Sequence, residues 1–118
     1  MKQPLIDEKR LKNINNKNMA KTAQEIADAI YEHLEKSSAT NYSDFYIGIT
    51  NDVERRLFNE HNVPRENHWR IHDKAVSKVA AQEVEEHFLD KGMKGDTGGG
   101  TDDSVYVYCY EISGTTKE

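Results

Sequence analysis

Residues 104 to 112, SVYVYCYEI, alternate for nine positions, and no other feature limits the possible folds as strongly. A period of two is the mark of a β-strand, because successive side chains point to opposite faces, so Tyr106, Tyr108 and Tyr110 share one face. A lone strand is not stable in water, and the rest of the chain must supply its partners. Two segments qualify. In residues 45 to 50, Phe45, Ile47 and Ile49 alternate with Tyr46, Gly48 and Thr50, which puts Tyr46 and Gly48 on one face. In residues 68 to 76, Trp69, Ile71 and Asp73 alternate with Arg70, His72 and Lys74.

Helical patterns separate these strands. Ala23, Ile26, Ala27, Ile30, Tyr31 and Leu34 recur at the spacing of one helix face, and Thr22 with Glu25 makes a capping box, predicting a helix over 22–36. Asn51 followed by Glu54 predicts a second helix that turns Val53 and Leu57 inward and ends at His61 or Asn62, with Pro64 beyond. Ser77 caps a third, whose Ala81, Val84 and Phe88 face one way before Gly92 stops it. KGDTGGGTDD reads as a loop. The order helix, strand, helix, strand, helix, strand predicts an α+β domain: a small three-stranded antiparallel sheet flanked by helices, with the first helix added at the front. A length of 118 residues holds one domain, placed at 19–112, with tails at 1–18 and 113–118.

A net charge of -5 argues against a broad basic surface, since non-specific affinity for nucleic acid comes from cations that neutralise phosphates, and such a partner would need a local basic patch. Cys109 is the only cysteine, which removes an internal disulfide and a thiolate zinc site; it reads as a small apolar strand residue in a reducing, cytoplasmic compartment. No run is long and apolar enough for a membrane span, and the first residues lack the apolar block of a signal peptide, so no membrane partner is expected.

Two charges sit where charges are costly. At about 100° per helical residue, Arg56 falls on the flank of the face set by Val53 and Leu57, while Arg55 points away. Glu85, between Ala81 and Phe88, likewise borders a buried face. Such a charge must be paired, bind a metal or open on a cleft, and spacing leaves open that Arg56 and Glu85 pair with each other. His61, His68, His72 and His87 are scattered without a compact zinc pattern, and the GDTGGGTDD loop lacks the ending of a nucleotide-phosphate loop. The tyrosine ladder can either stack bases or pack under a helix.

The stretch YIGITNDVERRL resembles the second half of the GIY-YIG nuclease signature, in which a Tyr-Ile/Val-Gly strand runs into a helix bearing an arginine. Tyr46, Ile47, Gly48 and Arg56 stand in those positions, and the family's following aromatic strand and Ala-x-x-x-Glu helix are matched by Trp69, Ala81 and Glu85. No Gly-Ile-Tyr strand precedes them. SVYVYCYEI, with Ser104 in place of glycine, resembles it instead, which would make the domain a circular permutation with Tyr106 as the first signature tyrosine and residues 104–112 paired antiparallel with 45–50. The histidine that often follows the arginine by four is replaced by Glu60, with His61 one later. The family's late asparagine has no clear counterpart unless the aspartates of DTGGGTDD, Asp96, Asp102 and Asp103, substitute for it.

The resemblance implies a metal-dependent endonuclease that hydrolyses nucleic-acid phosphodiester bonds, DNA in the first instance. It implies catalytic roles for Tyr46, Arg56, Tyr106 and Glu85, with Glu85 holding Mg2+ or another divalent cation, and substrate contacts from Gly48, Arg55, His61 and Tyr108. The alternative is a catalytically inactive GIY-YIG-like module that binds nucleic acid or a protein partner. A third reading is an interaction protein that docks through helix 22–36.

Overall fold

The computed structural model describes residues 20–96 and 101–118. Helix α1 (Ala23–Leu34) starts where its capping box says it should. Thr22 Oγ1 accepts the Glu25 N–H at 3.1 Å, and the Glu25 carboxylate accepts the Thr22 N–H at 2.9 Å. A cap of this kind stabilises a helix by about 1 kcal/mol. Ile26, Ile30 and Tyr31 are buried along one side, as their spacing predicts. Strands β1 (Phe45–Thr50), β2 (Arg70–Lys74) and β3 (Tyr106–Glu111) form one sheet in the order β1-β3-β2, antiparallel throughout. Helix α2 (Lys78–Lys91) lies between β2 and β3 in sequence; Ser77 Oγ caps it through the Ala80 N–H at 3.1 Å, and Gly92 ends it at a φ of 118° that favours glycine. The chain is therefore α+β, with the last strand in the centre of the sheet, paired with β1 as expected.

Each face of the sheet is covered. Phe45 and Ile47 of β1 and Val107 and Cys109 of β3 form one core with Ile26 and Ile30 of α1 and Val84 and Phe88 of α2. Cys109 is a packed apolar group, its Sγ 3.7 Å from Met93 Sδ. The other face carries Tyr46, Tyr108 and Tyr110, packed against Leu57 and Val63 of the connection between β1 and β2. Of the two fates open to the tyrosine ladder, Tyr108 and Tyr110 take the buried one. The outer edge of β1 is covered by the chain leaving α2: the Ile47 N–H donates to the Lys94 carbonyl and the Lys94 N–H to the Phe45 carbonyl, both at 2.9 Å. Gly95 is needed there, because a Cβ would meet the Ile47 carbonyl oxygen at 2.5 Å.

Three local expectations need correction. The helix after β1 is capped by Asp52, whose Oδ1 accepts the Arg55 N–H at 3.1 Å, and Asn51 plays no such part. From Arg55 to Glu60 the segment winds as a π-helix, with the His61 N–H reaching the Arg56 carbonyl five residues back at 2.8 Å. Residues 113–118, expected to be a tail, fold back onto that segment: the Lys117 N–H donates to the His61 carbonyl at 2.7 Å and Asn62 Nδ2 to the Thr115 carbonyl at 2.9 Å. The expected tail at 1–18 lies outside the described residues. No helix among the described residues is long and apolar enough to cross a membrane.

Candidate active site

Antiparallel pairing sets Gly48 of β1 directly opposite Tyr108 of β3. The Tyr108 ring lies across that glycine, where a Cβ would come within 2.5 Å of its Cζ and Oη. The glycine expected to admit substrate instead admits a tyrosine ring, and the ring's hydroxyl is thereby delivered to the π-helical segment. There Arg56 Nη2 and Nε donate to Tyr108 Oη at 2.9 and 3.2 Å, and His61 Nε2 lies 2.8 Å from the same oxygen. Arg56 Nη1 is held in turn by the Glu60 carboxylate.

The protonation pattern follows from the partners. The Lys117 carbonyl oxygen can only accept, and it lies 2.6 Å from His61 Nδ1, so Nδ1 carries the proton. Nε2 of the neutral ring is then an acceptor, and the Tyr108 hydroxyl donates to it while accepting from Arg56. Burial pushes the Tyr108 phenol up and Arg56 pulls it partly back. Burial also holds His61 below the usual histidine range, which keeps it neutral at pH 7. Glu60 is held low by its hydrogen bond from Arg56. Burial drags Arg56 down, but the bonds to Glu60 and Tyr108 outweigh it, and the guanidinium stays charged.

Tyr108, Arg56 and Glu60 form one wall of a cleft of about 420 Å³, with His61 buried behind them, and the cleft is lined also by Tyr46, Glu85, Asp96 and Ser104. Helix α2 packs on the opposite face of the sheet, yet Glu85 lines the cleft. Glu85 is 5% exposed and, among the described residues, makes no hydrogen bond or ion pair, so the Arg56–Glu85 pair that spacing left open does not form. Burial, then Glu86 and Asp96, push its carboxyl up to about 7. Tyr46 is buried to 3% exposure, its ring centroid 4.6 Å from that of His61; burial and Asp96 raise its phenol.

Tyr46, Arg56, Glu85, Gly48, Arg55, His61 and Tyr108 are thus brought together, but Tyr106 is not. It sits one strand repeat further along β3, outside the cleft lining, with Lys74 Nζ 6.0 Å from its ring centroid. Tyr108 occupies the position the sequence reading assigns to Tyr106. Arg55 and Arg56 do not point in opposite directions: Arg55 Nε also reaches Glu60, at 2.9 Å, because π-winding turns each residue through less than 100°. The Lys117 backbone is a site component that sequence reasoning missed; Asp96 entered it only among the loop aspartates, and Glu60, four residues after Arg56, only as the residue in the histidine's place, although that spacing carried a pairing signal. Among the described residues no three histidine, cysteine or acidic side chains gather as a metal cluster.

Compared with protein-family models, curated proteins and solved structures, the chain matches none of them.

Proposed function

We propose that this protein is a metal-dependent endonuclease of GIY-YIG type, permuted so that its last strand takes the place of the family's first, and that it cleaves phosphodiester bonds in nucleic acid, DNA foremost. The observation that carries the reading is the Tyr108 hydroxyl, bonded to both Arg56 and His61 on the wall of a cleft that Glu85 also lines. Hydrolysis needs a proton acceptor for water, positive charge for the phosphate and a Lewis acid. The π-helical turn adds support: it brings His61, five residues after Arg56, into register with it, and so absorbs the one-residue displacement of the family's histidine.

Tyr108 is a better base than Tyr46 because it has both a proton acceptor and a cation on its oxygen. As water attacks phosphorus, its proton passes to Tyr108 Oη while Tyr108 passes its own to His61 Nε2. The new P–O bond forms to the water oxygen, the bond to the leaving sugar oxygen breaks, and that oxygen takes a proton from solvent. A phenolate never accumulates, which matters because burial disfavours it. Arg56 shares its Nε and Nη2 donors between Tyr108 and a phosphate oxygen, and so stabilises the charge that grows there. Glu85 and Asp96 fit a magnesium ion: two carboxylates on one cleft, Glu85 without a cationic partner among the described residues, suit a metal that keeps several waters and completes its shell with phosphate. Such a cation would polarise a phosphate oxygen or the leaving oxygen. The single buried Cys109 suits an intracellular, cytoplasmic setting.

Supercoiled plasmid and labelled RNA and DNA oligonucleotides, incubated with Mg2+, Mn2+ or a chelator, test the reading. The native protein should cleave in a metal-dependent way, Tyr108→Phe should lose about 10²-fold or more in rate, and Tyr106→Phe should keep activity. A native protein that cleaves neither polymer with either metal would refute it, and binding without cleavage would point to the inactive module.

A further inference from the structure

We infer that residues 113–117 are a positioning strap, whose Lys117 main chain sets the His61 tautomer that lets Tyr108 hand over its proton. The inference rests on the proposed proton relay but is anchored in geometry of its own. Residue 117 grips His61 twice: its N–H donates to the His61 carbonyl at 2.7 Å, and its carbonyl accepts from His61 Nδ1 at 2.6 Å. The second bond fixes the hydrogen on Nδ1, and the first fixes the distance at which that carbonyl stands. Tyr110 completes the lock, its hydroxyl 3.2 Å from the same carbonyl oxygen and 3.0 Å from His61 Nδ1.

The strap is shaped to hold that pose. Ser113 N–H donates to Thr116 Oγ1 at 3.0 Å, Thr116 Oγ1 donates to the Ser113 carbonyl at 3.1 Å, and Asn62 Nδ2 ties the turn down at the Thr115 carbonyl, 2.9 Å away. Without the Lys117 carbonyl the buried ring has no acceptor for an Nδ1 hydrogen other than Tyr110. The opposite tautomer then becomes available, with its hydrogen on Nε2 pointing at Tyr108 Oη. In that state Tyr108 has no acceptor, and the relay from water stops. A strap carbonyl also faces the positive charge that His61 gains when the proton arrives, which favours the charged ring in the step itself.

The test is ¹⁵N NMR of the histidine rings at pH 7.5, on the native protein and on two variants: one lacking residues 113–118, and Lys117→Pro, which keeps the strap but loses the N–H that grips the His61 carbonyl. The native His61 should show a protonated Nδ1 and a bare Nε2. The deletion variant should move toward protonation at Nε2, with kcat for nucleic acid down about 10²-fold and KM little changed, and Lys117→Pro, which keeps the carbonyl but not the N–H that holds it in place, should shift the same way to a smaller extent. A native ring protonated at Nε2 overturns the inference outright, even if the deletion variant does not fold. So does a folded variant lacking residues 113–118 whose ring keeps the native tautomer. If the native protein cleaves no nucleic acid, the proposed function fails, and the tautomer measurements alone still decide whether the strap sets the ring.

Discussion

Replacing Glu85 by glutamine should make the metal-free protein more stable above neutral pH. Glu85 is 5% exposed and its carboxyl is raised from 4.5 to about 7 by burial and by Glu86 and Asp96. A group raised on folding binds its proton more tightly in the folded state than in the unfolded one. Its favourable contribution is complete below about pH 4.5 and is lost as pH climbs through about 7. The loss amounts to about 3 kcal/mol once both states are ionised. Glutamine has the same shape and never ionises, so Glu85→Gln should be more stable than the native protein by up to about 3 kcal/mol at pH 8, and nearly equal to it at pH 5. In urea that is a midpoint increase on the order of 1–2 M. Trp69, the only tryptophan, packs 4.8 Å from Phe45 between ring centroids and reports unfolding by fluorescence. Mg2+ should close most of that gap at pH 8, since at 100 times its dissociation constant it would stabilise the native protein by about 2.7 kcal/mol and the variant by little. A Glu85→Gln protein less stable than the native one at both pH values would mean that the carboxylate has a structural partner, and the cation-site reasoning would be wrong.

On the proposed mechanism Arg56→Ala should lower kcat by about 10²- to 10³-fold with KM little moved, because its contact would strengthen as charge grows on phosphate, and Arg56→Lys should rescue poorly for want of a planar fork. Arg55→Ala, which frees only the outer side of Glu60, should weaken binding slightly and in a salt-dependent way; steady-state kinetics at two salt concentrations separate the two. Gly48→Ala puts a methyl group 2.5 Å from Tyr108 and should destabilise by about 1–3 kcal/mol in thermal unfolding, with the Tyr108 hydroxyl displaced from Arg56.

Much of this could be read from local sequence. Periodicity located both long helices and all three strands, and Thr22, Ser77 and Gly92 marked ends that the capping geometry reproduces. Arg56 and Glu85 stood out because charges on the flank of an apolar stripe need an explanation. What stayed hidden depends on register and winding. Alternation places the three tyrosines on one face but cannot say which of them stands opposite Gly48, and the answer moved the central hydroxyl from Tyr106 to Tyr108. Helical phase from Val53 and Leu57 assumes α-geometry, so the π-turn at Arg55–Glu60 defeated the separation of Arg55 from Arg56 and concealed how His61 meets Tyr108. The role of Lys117 lies in its main chain, about which the identity of a residue says nothing.

The central place of β3 also governs how the molecule comes into being. β1 and β2 never pair with each other; Phe45 waits for Glu111, Thr50 for Tyr106, and Arg70 for Tyr110. On a ribosome the first two strands emerge without the strand that joins them, and apart from helices and the single bridges at Lys94 and Lys21 no ladder can form until residues 106–111 follow. Every sheet contact closes a long loop, so folding should be slow for a chain this small, and nascent strand edges remain open to other chains in the meantime. Once β3 arrives, it zips both neighbours together, and Tyr108 meets Gly48, Arg56 and His61 in that same closing event.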